Sequence, residues 1–142
     1  MRIALATSTS DIARCFQVMA ALRPHLVETE FSARVQRLQQ QGYRLAFLED
    51  EAEVRAVAGY WLRENLAWGR HMYVDDLVTA ETQRSRGHGG ALFDWLVEQA
   101  RAADCAALHL DSGVQRFGAH RFYLRRRMDI VGHHFALTLK QS

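Results

Sequence analysis

The 142-residue chain has one proline, Pro24, one lysine, Lys140, and two cysteines, Cys15 and Cys105. Each scarcity excludes something. There is no proline-rich linker, no low-complexity stretch and no internal repeat, so residues 1–142 read as one domain, long enough for a core of its own. The cysteines sit in apolar-periodic segments without Cys-x-x-Cys spacing, which favours buried thiols over a disulfide framework. No His, Cys and carboxylate spacing suits zinc, and no metal is expected. No apolar run is long enough to cross a bilayer. The apolar start, residues 1–6, is ended by Thr7-Ser8-Thr9-Ser10-Asp11 before it can form a signal-peptide core. A cytoplasmic location without a membrane partner follows as the expectation. A net charge of +2 is too small to indicate a nucleic-acid binder.

What charge there is lies in arginine, clustered at Arg84/Arg86 and at Arg125-Arg126-Arg127. The first cluster belongs to the stretch Arg84-Ser85-Arg86-Gly87-His88-Gly89-Gly90-Ala91. It follows an apolar run, residues 72–78, that reads as a strand, and it opens a helix over about residues 88–102. Strand, glycine-rich basic turn and helix together form an anion site. The glycines let backbone approach a ligand, and the first helical N–H groups point at it with the positive end of the dipole. The arginines add forked donors that suit phosphate. Neither a P-loop nor a dinucleotide G-x-G-x-x-G fits. Gly90-Ala91 stands where a P-loop has Lys and Ser or Thr, and Phe93 stands where the last dinucleotide glycine belongs.

The rest of the chain reads in order as follows. Residues 2–6 form a strand. Asp11 caps a helix over residues 12–22, stopped by Arg23-Pro24. A second helix covers residues 27–40 and ends at Gly42. Period-two segments over residues 43–48, 54–62 and 71–79 give an antiparallel meander, with Gly59 marking a bulge or close backbone approach. After the glycine loop and its helix come a strand at residues 106–110, a helix at 114–125 and a closing strand at 130–139. One central sheet with flanking helices is α+β or mixed α/β.

Arg84, Gly87 and Gly89 fill an Arg-x-x-Gly-x-Gly pattern that resembles the pyrophosphate loop of the GNAT superfamily, the acyl-CoA-dependent N-acetyltransferases. The element order is similar over essentially the whole chain, and Ala119-His120-Arg121-Phe122-Tyr123 resembles that family's Ala-x-x-Phe-Tyr segment. Residues 114–125 look most like the aminoalkylphosphonate N-acetyltransferases. The resemblance implies a mostly antiparallel sheet of six to seven strands with about four helices. It also implies acetyl-CoA as co-substrate and an exposed final strand that makes homodimers. In such proteins the pantetheine arm bonds to the backbone of the fourth strand, here Leu77, Val78 and Thr79. The pyrophosphate falls on Arg84, Ser85, Arg86, Gly87, His88, Gly89 and Gly90. Ser112 stands where many relatives have a cofactor-contacting asparagine, and Arg127-Met128 replaces their Gly-Phe or Gly-Tyr.

Acetyl transfer to a small amine by direct attack, without a covalent enzyme intermediate, needs a proton acceptor for the amine and a donor for the leaving thiolate. Orientation alone supplies about 7–11 kcal/mol in favourable cases. By resemblance Tyr123 is the donor and also touches the cofactor; a neutral phenol, with an ordinary pKa of about 10, has its proton available. The family's usual acid is replaced by Tyr73. Asp75, directly or through a water, and Asp76 are the candidate bases, placed on opposite faces by the period of a strand. The acceptor pocket is expected around His25, Glu28 and Phe31, with Trp61 or Trp68. Glu28 suits an ammonium, and His25 and Arg23 suit an acid group. A non-catalytic acyl-CoA-binding module and acetylation of a protein N-terminus or lysine are the alternatives.

Overall fold

Alternation and helical period resolve into ten elements among the described residues. The computed structural model describes residues 1–80 and 86–141. Along the chain the elements are β1 (Arg2–Leu5), α1 (Thr9–Arg14), α2 (Phe16–Leu22), α3 (Glu28–Gln40), β2 (Arg44–Asp50), β3 (Glu53–Asn65), β4 (Gly69–Thr79), α4 (His88–Ala102), β5 (Ala107–Leu110) and α5 (Phe117–Arg125). The chain divides into two compact units, Met1–Leu110 and Asp111–Ser142.

In the first unit the strands stand in the order β1-β2-β3-β4-β5. Strands β1 to β4 are antiparallel, and β5 runs parallel to β4. Both faces of the sheet are covered, which is why β2 is buried at four consecutive positions instead of alternating. Leu45 and Phe47 pack with Ile12, Phe16, Met19, Phe31 and Val35 of the first three helices. Ala46 and Leu48 pack with Tyr60, Met72, Val74, Leu92 and Leu96 on the α4 side. Each large side chain so buried contributes about 1.5–3 kcal/mol.

Local chemistry sets the ends of the elements. Ser8 caps α1 by accepting a hydrogen bond from the Asp11 N–H, so Asp11 lies inside the first turn and is not itself the cap. The helix expected over residues 12–22 is two helices, because the Cys15 N–H tightens back onto Ile12 O before α2 resumes. The β2–β3 hairpin turns on Glu51 and Ala52, both at positive φ, as a two-residue turn of primed type requires. Helices α3, α4 and α5 end alike. The N–H of Tyr43, Cys105 and Met128 reaches back to Leu38, Ala100 and Tyr123 O respectively, past Gly42, Asp104 and Arg127 at positive φ. Arg127 thus makes the turn that a glycine would make. Cys15 is fully buried and Cys105 partly so; both are free.

The strand expected over residues 130–139 is not formed. The sheet has five strands among the described residues, with five helices. Ile130, Val131, Phe135, Leu137 and Leu139 are 77–91% exposed. Alternation specifies which side chains share a face, but a strand also needs a neighbouring edge for its N–H and C=O groups.

Gly59 faces the Tyr43 ring and hydroxyl so closely that a Cβ would overlap them. Gly59→Ala should therefore lower the unfolding free energy by about 1–3 kcal/mol, read as the urea midpoint. An unchanged midpoint would show that Tyr43 is not held against β3. Arg127→Gly relieves about 1–2 kcal/mol of left-handed strain against about 0.5–1 kcal/mol of added chain entropy. Its melting temperature should rise, and a fall would contradict the left-handed assignment.

Candidate active site

Strand β4 carries one extra residue opposite β3. Gly59 pairs with Asp76 and Tyr60 with Val74, which leaves Asp75 without a partner in the register. The bulge corrects the expected placement of the two carboxylates: Asp75 and Asp76 line the same cavity instead of facing opposite sides. Strand period assigns opposite faces only while the ladder is unbroken. Gly59, the one residue that marked this place in the sequence, lies at the register shift.

Both carboxylates are held. The Tyr43 hydroxyl donates to Asp76 Oδ2 at 2.7 Å, and Arg23 Nε donates to Asp76 Oδ1 at 3.0 Å. A second Arg23 nitrogen donates to the Asp75 carbonyl at 2.8 Å. Arg23 is free to do this because Pro24 takes it out of helical conformation at the end of α2. The Trp61 indole N–H donates to Asp75 Oδ2 at 2.6 Å, with the ring packed beside Tyr43 and under the Arg63 guanidinium. Among the described residues Asp75 Oδ1 has no hydrogen-bond partner. Burial, followed by the nearby negative charge of Asp76, pushes the Tyr43 hydroxyl well above its ordinary range, so it stays protonated and donates.

The cavity has a volume of about 190 Å³. Its apolar wall is Met19, Leu26, Phe31, Val35 and Leu38. Its polar groups are Arg23, His25, Arg34, Tyr43 and the two aspartates. Of the residues expected in an acceptor pocket, His25 and Phe31 line it, and Phe31 is buried with its ring edge-on to Phe16. Glu28 does not line it, because it opens α3 and is exposed there. Trp61 supports the wall through Asp75, whereas Trp68 stacks on His109 at the other end of the sheet. Arg34 and Tyr43 went unremarked in the sequence. An arginine on a polar helix face and a tyrosine opening a strand carry no local signature.

Beyond the bulge, β4 has a free edge. Its pairing with β5 stops at Val74 and Leu110, whereas its pairing with β3 continues to Thr79. Leu77, Val78 and Thr79 therefore keep backbone groups on one side without a strand partner among the described residues. Helix α4 starts next to them: Gly89 lies against the Thr79 side chain. Gly87, at φ +79, is the N-cap and supplies no side-chain oxygen, so the first N–H groups of the helix are left for another acceptor. His88 is buried, with Nε2 3.2 Å from Asp50 Oδ2 and Nδ1 without a partner among the described residues. The His88 bond, opposed by burial and helped by the terminal ammonium, holds the Asp50 carboxyl below its usual range. Arg86 is exposed, and Arg84 and Ser85 lie outside the described residues. An uncapped helix start beside an open strand edge fits the two parts of an acyl-CoA, a pyrophosphate and an amide-bearing arm.

In the second unit, Tyr123 lies on α5 with its ring edge-on to Phe122. Burial raises its pKa above the ordinary value, against the pull of Arg116, which keeps it protonated at neutral pH. Ser112 Oγ is buried without a hydrogen-bond partner among the described residues. His120 Nε2 lies 2.7 Å from Gly113 O and stiffens the turn before the helix. The described residues contain no group of three metal-ligating side chains and no helix long and apolar enough to cross a membrane.

An uncapped helix start, an open strand edge and a small carboxylate-bearing cavity lie along β4. The model of the Acetyltransferase (GNAT) family matches residues 9–128. The chain is 36% identical over 118 residues to the uncharacterized N-acetyltransferase YhdJ of Bacillus subtilis strain 168, covering 82% of this chain and 83% of that one. Its fold is similar to that of ribosomal-protein-alanine N-acetyltransferase from Brucella melitensis biovar Abortus 2308, with a TM-score of 0.83, 15% identity and coverage of 98% and 100%. It is also similar to glucosamine-6-phosphate N-acetyltransferase from Arabidopsis thaliana, with a TM-score of 0.77, 16% identity and coverage of 99% and 100%. The chain belongs to the GNAT acetyltransferase family. It is an N-acetyltransferase, of a family that uses acetyl-CoA.

The raised phenol of Tyr43 has a consequence at high pH. A folded-state pKa above the unfolded value of 10.0 means that the native state retains a proton which the unfolded chain releases. The Tyr43 contribution is complete below that pH and is lost as pH rises toward the native value. Burial also raises Tyr60 and Tyr123. Alkaline unfolding should therefore steepen above pH 10.0, and Tyr43→Phe should show a shallower decline. Parallel curves for the two proteins would refute the buried Tyr43–Asp76 bond.

Proposed function

We propose that the enzyme moves an acetyl group from acetyl-CoA directly to the amine of a small molecule, without a covalent enzyme intermediate. One observation carries the reading. Five consecutive residues of β4, Asp75 to Thr79, hold the cavity's two carboxylates and the strand's open edge. An amine in the cavity and a thioester arm along the edge would thus meet on one rigid strand.

Within this reading the backbone of Leu77, Val78 and Thr79 takes the arm. The helix start at Gly87, His88, Gly89 and Gly90 takes the pyrophosphate, with Arg84, Ser85 and Arg86, and Ser112 contributes its unpartnered hydroxyl. Asp75 accepts the amine proton, directly or through a water. It is exposed and keeps one carboxylate oxygen without a hydrogen bond, whereas both oxygens of Asp76 are occupied by Arg23 and Tyr43. Asp76 holds Arg23 and Tyr43 in place. Tyr123, protonated at neutral pH, supplies the proton to the leaving thiolate. The cavity size favours a small acceptor over a peptide. The family match spans both units, which supports a single domain over residues 1–142. The exposed apolar side chains at residues 130–139 support a homodimer, and two free cysteines suit the cytoplasm.

Acetyl-CoA at a hundred times its dissociation constant should stabilise the protein by about 2.7 kcal/mol. A panel of small amines should then release thiol. Tyr123→Phe and Asp75→Asn should each keep the thermal shift and lower kcat about a hundredfold or more. No thermal shift would refute the co-substrate site. Undiminished turnover in either variant would remove that residue from the mechanism.

A further inference from the structure

We propose that His88 is a positioning residue for acetyl-CoA: its buried ring, bonded to Asp50 at the end of β2, sets the start of α4 where the pyrophosphate binds. This rests on the reading of that helix start as the pyrophosphate end of the co-substrate. The place of His88 on the helix is the first sign. His88, Leu92, Leu96 and Ala100 recur every four residues and form, with Phe93, the buried face of α4. The other four are apolar. His88 is 2% exposed, and it and His71 are the two buried polar side chains among the described residues. An apolar side chain would complete the stripe. The imidazole instead brings Nδ1, which is buried without a hydrogen-bond partner among the described residues. An unpaired buried nitrogen opposes folding. What the ring adds is direction, a bond that leucine cannot make: Nε2 lies 3.2 Å from Asp50 Oδ2. The Asp50 carboxyl is held below its usual range, so it is the acceptor and Nε2 carries the proton.

Asp50 is itself fixed. It pairs with Glu53 across the hairpin, and its carbonyl accepts from Arg55 Nε at 3.2 Å. The helix start lacks such support. In the run Gly87-His88-Gly89-Gly90 only His88 has a side chain. Gly87 makes no side-chain cap, and a Cβ there would meet nothing within 4 Å. Glycines give this turn its widest conformational range, and the His88 ring is what restricts it. A buried ring bonded to Asp50 is not a phosphate ligand. His88 offers the pyrophosphate its backbone N–H, and the ring fixes where that N–H and those of Gly89 and Gly90 point. Donors fixed before the anion arrives lose less freedom when it binds.

The test compares dissociation constants, measured by calorimetry, with the melting temperature of the unliganded protein. The probes are CoA and pantetheine, which has the arm without the pyrophosphate. The unsubstituted protein should bind CoA about tenfold or more tighter than pantetheine. His88→Leu and Asp50→Ala should each weaken CoA about tenfold, and His88→Leu should not melt lower. Both break one bond, so the double variant should bind CoA no more weakly than either single variant. His88→Gln places an amide nitrogen as many bonds from the backbone as Nε2, and Asp50→Asn keeps an acceptor oxygen. Both should stay within about threefold of the unsubstituted protein. Unchanged CoA affinity in His88→Leu or Asp50→Ala, additive losses in the double variant, or His88→Gln as weak as Asp50→Ala would overturn the proposal. So would losses of affinity that follow melting temperature across the set, the mark of a purely structural bond. If His88→Leu does not fold, the two Asp50 variants and His88→Gln make the same comparison. Equal affinity of the unsubstituted protein for CoA and pantetheine would overturn the reading of the helix start, and this proposal with it.

Discussion

A single extra residue in β4 is the constraint on which the site depends. Asp75 has no partner across the ladder, and the strand around it is held on three sides: by Trp61 from β3, by Arg23 from the end of α2, and by Tyr43 from the start of β2. A bulge is tolerated only when its unpaired groups find other partners. Here those partners are also the cavity wall. The bulge thereby turns two adjacent carboxylates toward one pocket. In the same strand, pairing with β5 ends at Val74, so the free edge begins where the bulge begins.

That arrangement is costly without Gly59 and Pro24. Gly59 lets the Tyr43 ring reach Asp76 across the strand, and Pro24 ends α2 so that Arg23 turns to the carboxylate. Both residues act by what they lack, a Cβ and a backbone N–H. The ion pair is partly exposed, so its value lies in fixing geometry more than in stability. The same division of labour holds at the helix start, where Gly87 contributes an uncapped end and His88 anchors the helix to the hairpin at Asp50.

The fold comparisons separate framework from specificity. Proteins named for a ribosomal protein's alanine and for glucosamine-6-phosphate share this architecture at 15% and 16% identity, so the sheet does not choose the acceptor. In the cavity Arg23 pairs with Asp76, while Asp75 of β4 and Arg34 of α3 have no ion pair among the described residues.

The elements with strong local signals were legible in the sequence. The helix period of residues 27–40 and 88–102, the period-two segments at 43–48 and 71–79 and the stop at Pro24 all rest on neighbours a few residues apart. The break at Cys15, the capping by Ser8 and the missing strand at 130–139 did not follow from pattern. Each depends on which hydrogen-bond partner is within reach. So did the cavity: Trp61 reaches Asp75, and Tyr43 and Arg23 reach Asp76, across 14 to 53 residues of chain. The sequence by itself determined the family and the order of most elements, because backbone conformation and glycine placement are local properties. Tertiary structure alone decided that Asp75 and Asp76 share a pocket and that Arg34 faces it unpaired. A one-residue change of register reverses the face of a side chain and leaves no mark on the residues around it.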